Sequence, residues 1–277
     1  MTSSVTVEGR SGASRATRSS AGLLGAAAIG IAAFLTCRAA QPERAVVDDT
    51  VISSRDPAVE IKLPRSVHYV GSDRFLLTDP QLGDFDDCEL YAFVDSDGNR
   101  RVRKFYWVQF EGYLPNQPTL HYTYDSPRHT TIGGLDFYVD TGVSSPLKPP
   151  KAGSDGAHFY SLLASQGYQR DDMMSVRLVH LIDSTKRREL MIIYAESLAP
   201  TGYTAVQLQE GGAEHAKWTA MADGLTRRAV QSLTITSVAR SAGRKHDGSR
   251  MSRALVSTDV ALKFTYSAGG VRAQESN

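Results

Sequence analysis

The chain has 277 residues and a nearly balanced charge, with Lys+Arg 31 against Asp+Glu 30. That balance argues against a nucleic-acid partner, which calls for a basic excess to meet phosphates, and two cysteines are too few for a four-cysteine zinc site. Hydrophobic residues at 41% and charged residues at 22% fit a globular protein rather than a disordered one.

Residues 1–20 form a basic arm rich in Ser, Thr and Gly, carrying Arg10, Arg15 and Arg18 against one acid, Glu8. Ala21–Cys37 then runs without a charged residue, and Ala39 and Ala40 follow. A basic arm, an apolar core and a small-residue end are the three parts of a secretory signal. As a helix the apolar run spans about 25 Å, slightly short of the ~30 Å hydrocarbon core. Residues 21–40 therefore read either as the core of a cleaved signal peptide or as a retained single transmembrane helix with its arginines inside. The expectation is export across the cytoplasmic membrane, to a periplasmic or extracellular location or to single-pass anchorage. Cys37 does not complete a lipoprotein box, because Phe34 and Thr36 depart from it. Cleavage after residue 39 or 40 would leave Cys88 alone, so no intrachain disulfide is expected.

Residues 41–58 read as a polar linker, and an exported domain is expected over 59–238. Pro64 interrupts EIKLPRSVHYV or confines it to a sheet edge, and DRFLLTD (73–79) is a short apolar run. The clearest element is a hairpin: CELYAFVD (88–95), a turn around Asp97-Gly98, then a strand up to Leu114. Alternation in that second strand sets Val102, Tyr106, Val108, Phe110 and Leu114 on a core face. Arg103, Phe105, Trp107, Gln109, Glu111 and Tyr113 fall on a mixed face that is either covered by a helix or lines a groove. A long connection (115–131) follows, with HYTYD (121–125) as a candidate edge strand. GGLDFYVDTGV (133–143) alternates again, with Asp136, Tyr138 and Asp140 outward.

Ser154 caps a predicted helix that runs to Gln166, with an apolar stripe of Phe159, Leu162 and Leu163 and a stop at Gly167. A second hairpin joins MSVRLVHLID (174–183) to ELMIIYAES (189–197). Another helix is expected over 213–230, with Trp218, Met221 and Leu225 on one side, and SLTITSV (232–238) as a last strand. Residues 239–277 read as a basic, disordered tail. This order predicts an α+β fold, an antiparallel sheet of hairpins packed by two or three helices. In element order it resembles small exported α+β sandwich proteins of the PsbP-like group.

Few residues point to chemistry. Asp95–Asn99 has the look of a calcium loop, but Lys104 stands where an EF-hand places its bidentate Glu, so a hairpin turn is the better reading. GDFDDCE (83–89) concentrates four carboxylates. Asp87 and Glu89 share a strand face there, as an acid–base pair would, although charges at a strand edge also block aggregation. Trp107, Glu111, Tyr113, Asp136, Tyr138 and Asp140 would form an aromatic and acidic ligand groove if the two strands come together. His121, Asp125 and His129 have metal-ligand types, but Pro127 prevents the helix that their spacing needs, so no metal and no cofactor is expected. His180 reads as a hydrogen-bonded core histidine and Cys88 as a buried thiol. There is no G-x-S-x-G, Walker or dinucleotide motif. The chain therefore reads as a non-enzymatic envelope protein that binds a partner protein or small ligand, in contact with the membrane through residues 21–40 if these are retained. The alternative is a secreted hydrolase of cell-wall or carbohydrate material acting through Asp87, Glu89, Glu111, Asp136 or Asp140.

Overall fold

The computed structural model describes residues 44–238. The basic arm, the apolar segment and the C-terminal tail lie outside the described residues. Among the described residues no helix is long and apolar enough to cross a membrane.

The fold is mostly antiparallel β-structure in two sheets with a few helices. The small sheet has the order β1-β2-β3-β11, formed by β1 (Arg44–Val47), β2 (Thr50–Ser53), β3 (Val59–Lys62) and β11 (Thr234–Ser237). The large sheet has the order β4-β5-β6-β10-β9-β8-β7. Its strands are β4 (His68–Asp79), β5 (Gly83–Ser96), β6 (Val102–Tyr113), β7 (His129–Ile132), β8 (Leu135–Ser144), β9 (Met173–Leu181) and β10 (Arg188–Ser197). Each of the two expected hairpins forms, β5–β6 and β9–β10, and they join through β6 and β10 at the centre of the sheet.

Local chemistry explains the elements that form as expected. Asp97 accepts the amides of Asn99 and Arg101 on its side chain, which closes the β5–β6 turn as an Asx turn. The helix α1 (Asp155–Ser165) starts where Ser154 accepts the Ala157 amide, and Gly167 follows its end at φ +76°. A short α2 (Ala205–Leu208) opens on a Thr204–Gln207 capping box. The last helix, α3 (Trp218–Ser232), starts later and ends later than 213–230, after one 3₁₀ turn at His215–Lys217.

Several expectations change. Residues 44–53, read as part of a linker, form β1 and β2, because Val51 has a buried face to fill and is 0% exposed. DRFLLTD is the second half of a single long strand, β4. HYTYD is not a strand. The connection over 114–128 is held instead by Arg187, whose guanidinium donates to the carbonyls of Gln117, Leu120, Tyr113 and Leu114. Val102 does not share the face of Tyr106: a bulge between Asp95 and Ser96 turns it to the side of Phe105.

The large sheet is covered on both faces. One face carries Phe93, Tyr106, Val108, Val176, Ile192 and Tyr194 and packs with Val51, Val59 and Ile61 of the small sheet and Leu225 and Ala229 of α3. The other carries Leu90, Ala92, Phe105, Trp107 and Met191 and packs with Phe159 and Leu163 of α1 and with Leu120, Tyr122 and Tyr124 of the connection. At about 25 cal/mol per Å² of apolar surface, these two interfaces are the main source of stability.

Candidate functional site

The odd-numbered residues of β6 do lie on one face, and α1 covers them. Trp107 is 4% exposed and stacks on Phe159 with centroids 4.5 Å apart and planes 6° apart. Its indole N–H donates to Gln109 Oε1 at 2.8 Å. Tyr113 stacks on Tyr122 at 4.4 Å. On β8, Asp140 and Tyr138 sit over the same face, but β10 and β9 separate them from β6. Asp140 accepts from Arg177 at 2.7 Å, and Tyr138 packs near Tyr124 at 5.5 Å. Asp136 stays exposed, paired with His129 at 3.1 Å. The six predicted groove residues thus share a sheet face, and Trp107 and Tyr113 among them are packed under cover rather than arranged around open space.

A polar network runs across this face over β5, β6 and β10. Gln109 Nε2 donates to Glu111 Oε2 at 2.7 Å, and the Cys88 thiol donates to the same oxygen at 3.4 Å. Strand pairing sets Cys88 opposite Glu111 and Glu111 opposite Glu189, so three acidic or thiol side chains stand in one row across β5, β6 and β10. Glu189 is 0% exposed and hydrogen-bonded to Glu111. Tyr124 donates to its two carboxyl oxygens at 2.7 and 2.6 Å. Tyr122 donates to Asp86 Oδ2 at 2.6 Å.

Burial sets the electrostatics of this network. It pushes the Asp86 carboxyl up to about 8, with Glu111 adding to the rise. Burial and the same neighbour hold Glu189 well above the carboxylate range. Asp155, in the first turn of α1, is raised for the same two reasons. The Cys88 thiol and the Tyr122 and Tyr124 hydroxyls are also pushed up, first by burial and then by the acids around them. Arg177 stays charged, held by Tyr124 and Asp140 against the desolvation that opposes it.

The opposite face of β5, β6 and β10 opens on a cleft of about 220 Å³ at the edge of the small sheet. Four arginines line it, Arg44, Arg55, Arg74 and Arg188, together with Asp56, Asp87 and Glu89. Asp87 and Glu89 share this face, as their spacing predicts, but each is taken by its own arginine. Arg74 grips Asp87 through two bonds of 3.1 and 2.6 Å, and Arg44 donates to Glu89 at 2.9 Å. Arg44 also lies 4.0 Å over the Phe110 ring, and Arg188 pairs with Asp56. The pairs Arg44–Glu89 and Arg188–Asp56 tie the segment 44–56 to the large sheet.

Of the other candidates, His121 sits 3.2 Å from the Thr119 carbonyl, while His129 pairs with Asp136. His180 is half-buried and sits 2.8 Å from the Asp136 carbonyl. Cys88 is 0% exposed. Sequence reasoning missed Asp86, Glu189, Arg177, Tyr122, Tyr124 and Arg44. Asp86 was within reach, because it shares the parity of Cys88. Glu189 and Arg44 depend on pairings between distant segments. Comparison of the chain with protein-family models, curated proteins and solved structures found no match.

Proposed function

We propose that the chain is an α+β envelope domain, exported or membrane-anchored through residues 21–40, that binds a small anionic ligand or an acidic partner segment without chemical turnover. The observation that carries this reading is the arginine-lined cleft. Guanidinium groups grip carboxylate or phosphate oxygens in pairs. Arg74 and Arg188 are more than half exposed, at 68% and 55%. Ion pairs this exposed contribute at most about 1 kcal/mol, so an incoming anion exchanges with Asp87 or Asp56 at little cost. A volume near 220 Å³ is below the usual range of drug-sized sites, which favours a metabolite-sized anion or one acidic side chain over a large ligand.

Calorimetric titration with phosphate, citrate and short acidic peptides tests the reading. One of them should bind with an affinity that falls as salt rises, and Arg188→Gln should weaken it by about ten-fold or more. Absence of binding by all three at millimolar concentration would overturn it. A second reading, a carboxylate-dependent hydrolase of cell-wall or carbohydrate material, is favoured by Asp87 and Glu89 lining one cleft. It requires release of reducing ends from a glycan and loss of that release in Glu89→Gln.

A further inference from the structure

We propose that Asp86, Cys88 and Glu111 form a binding site for a divalent transition-metal ion of the Zn²⁺ type, on the sheet face beneath α1. Asp86 and Cys88 are two apart on β5 and point the same way, and pairing sets Glu111 of β6 directly opposite Cys88. One donor atom from each of the three lies within 4.8 Å of the other two. Donors on a single tetrahedral ion, at about 2.3 Å for sulfur and 2.0–2.2 Å for oxygen, stand about 3.5 Å apart, so the three need to draw in by at most about 1.3 Å.

An independent observation points to a missing partner. Asp86 is 2% exposed, and its Oδ1 has no hydrogen-bond partner. Buried carboxylate oxygens are seldom left in that state, and an unexplained one marks an unfilled role. The remaining bonds have the form that orients ligands around an ion: Tyr122 fixes Asp86 Oδ2, and Gln109 fixes Glu111 Oε2. Glu189 stands directly opposite Glu111 and adds a further carboxyl beside the three. A dication there would relieve the like-charge crowding of these carboxyl groups. The sulfur ligand selects against Mg²⁺ and Ca²⁺, and the mixed sulfur–oxygen set suits Zn²⁺ or Co²⁺. This proposal stands on the α1 side of the sheet and does not depend on the arginine cleft.

The test uses the full chain, stripped with a chelator and titrated with Zn²⁺ by calorimetry and with Co²⁺ by absorbance. The expected result is one equivalent bound with a thiolate-to-Co²⁺ charge-transfer band. Cys88→Ser should abolish the band, and Asp86→Asn, which keeps the side-chain shape, should weaken Zn²⁺ binding by at least about ten-fold. Circular dichroism of each variant identifies any that fails to fold, and Glu111→Gln then replaces it. Absence of saturable binding would overturn the proposal, as would an affinity that Asp86→Asn and Glu111→Gln leave unchanged.

Discussion

Truncation of Phe159 to Ala asks whether α1 closes the aromatic face of β6. Phe159 is 0% exposed and meets three rings: Trp107 at 4.5 Å, Phe105 at 4.8 Å and Tyr160 at 5.3 Å. A buried Phe→Ala change costs about 3–5 kcal/mol through lost transfer energy and the cavity left behind. The lost stack on Trp107 places this site in the middle of that range or above it, since such pairs add about 0.5–1.5 kcal/mol beyond area. A loss of about 4 kcal/mol lowers Tm by roughly 8–16 °C in a domain of this size. Urea unfolding followed by circular dichroism measures the loss. In a Trp218→Phe background, emission reports Trp107 alone, and it should shift to the red as water reaches the indole. A loss under about 1 kcal/mol with unchanged emission would mean that α1 does not seal this face, and the open groove expected from the sequence would return.

Arg44→Met should cost about 2 kcal/mol, because it leaves Glu89 at 22% exposure without its cation. Adding Glu89→Gln should recover part of that in a urea midpoint, and no recovery would refute the coupling. Gly133→Ala should cost more than about 3 kcal/mol, since φ is +60° and a new Cβ would stand 2.0 Å from the Ile235 carbonyl oxygen. Gly134→Ala, at φ +81° with open space around it, should cost only about 1–2 kcal/mol in the same assay. At Glu196 burial works to raise the carboxyl, but bonds from Arg228 and Tyr194 outweigh it and hold the group below its ordinary 4.5. Its contribution is therefore present above about pH 4.5 and lost as pH falls through the lower folded value. With Arg228 47% exposed it amounts to less than about 1 kcal/mol. The urea midpoints of the native protein and Arg228→Gln should converge on acidification, and parallel curves would refute the assignment.

What could be read from the sequence was local. The Asx turn at Asp97, the Ser154 cap and the alternation of β6 and β8 each rest on neighbours within a few positions. The small sheet was not readable, because β1 and β2 are four residues each and their burial depends on Ile235, far along the chain. The choice of face in 83–89 was ambiguous for a related reason. Acids stand at both parities there, and only pairing with β6 sends Asp86 and Cys88 under α1 while Asp87 and Glu89 meet arginines. The mixed face of β6 allowed both a groove and a helix cover, and Phe159, already identified as an apolar position of α1, is the side chain that decides between them. Glu189 opens its strand in sequence like any solvated residue. It becomes a buried carboxyl because β10 lies beside β6 and the Arg187-clamped connection brings Tyr124 over it.

The pairing of β11 with β3 joins segments about 170 residues apart, with Thr234 opposite Lys62 and the Val238 amide on the Ala58 carbonyl. During synthesis at about 5–20 residues per second, β3 waits on the order of 10 to 30 s for that neighbour. Through that interval one edge of the small sheet offers unpaired amides and carbonyls beside Val59 and Ile61, which invites pairing with another chain. A holding factor that shields nascent strands, or threading through a membrane pore before folding, would protect the chain at this stage. Among the described residues the last strand to be made is thus the one that pairs this edge, and shortening the chain before Thr234 should raise aggregation more than it lowers the stability of the hairpins already formed.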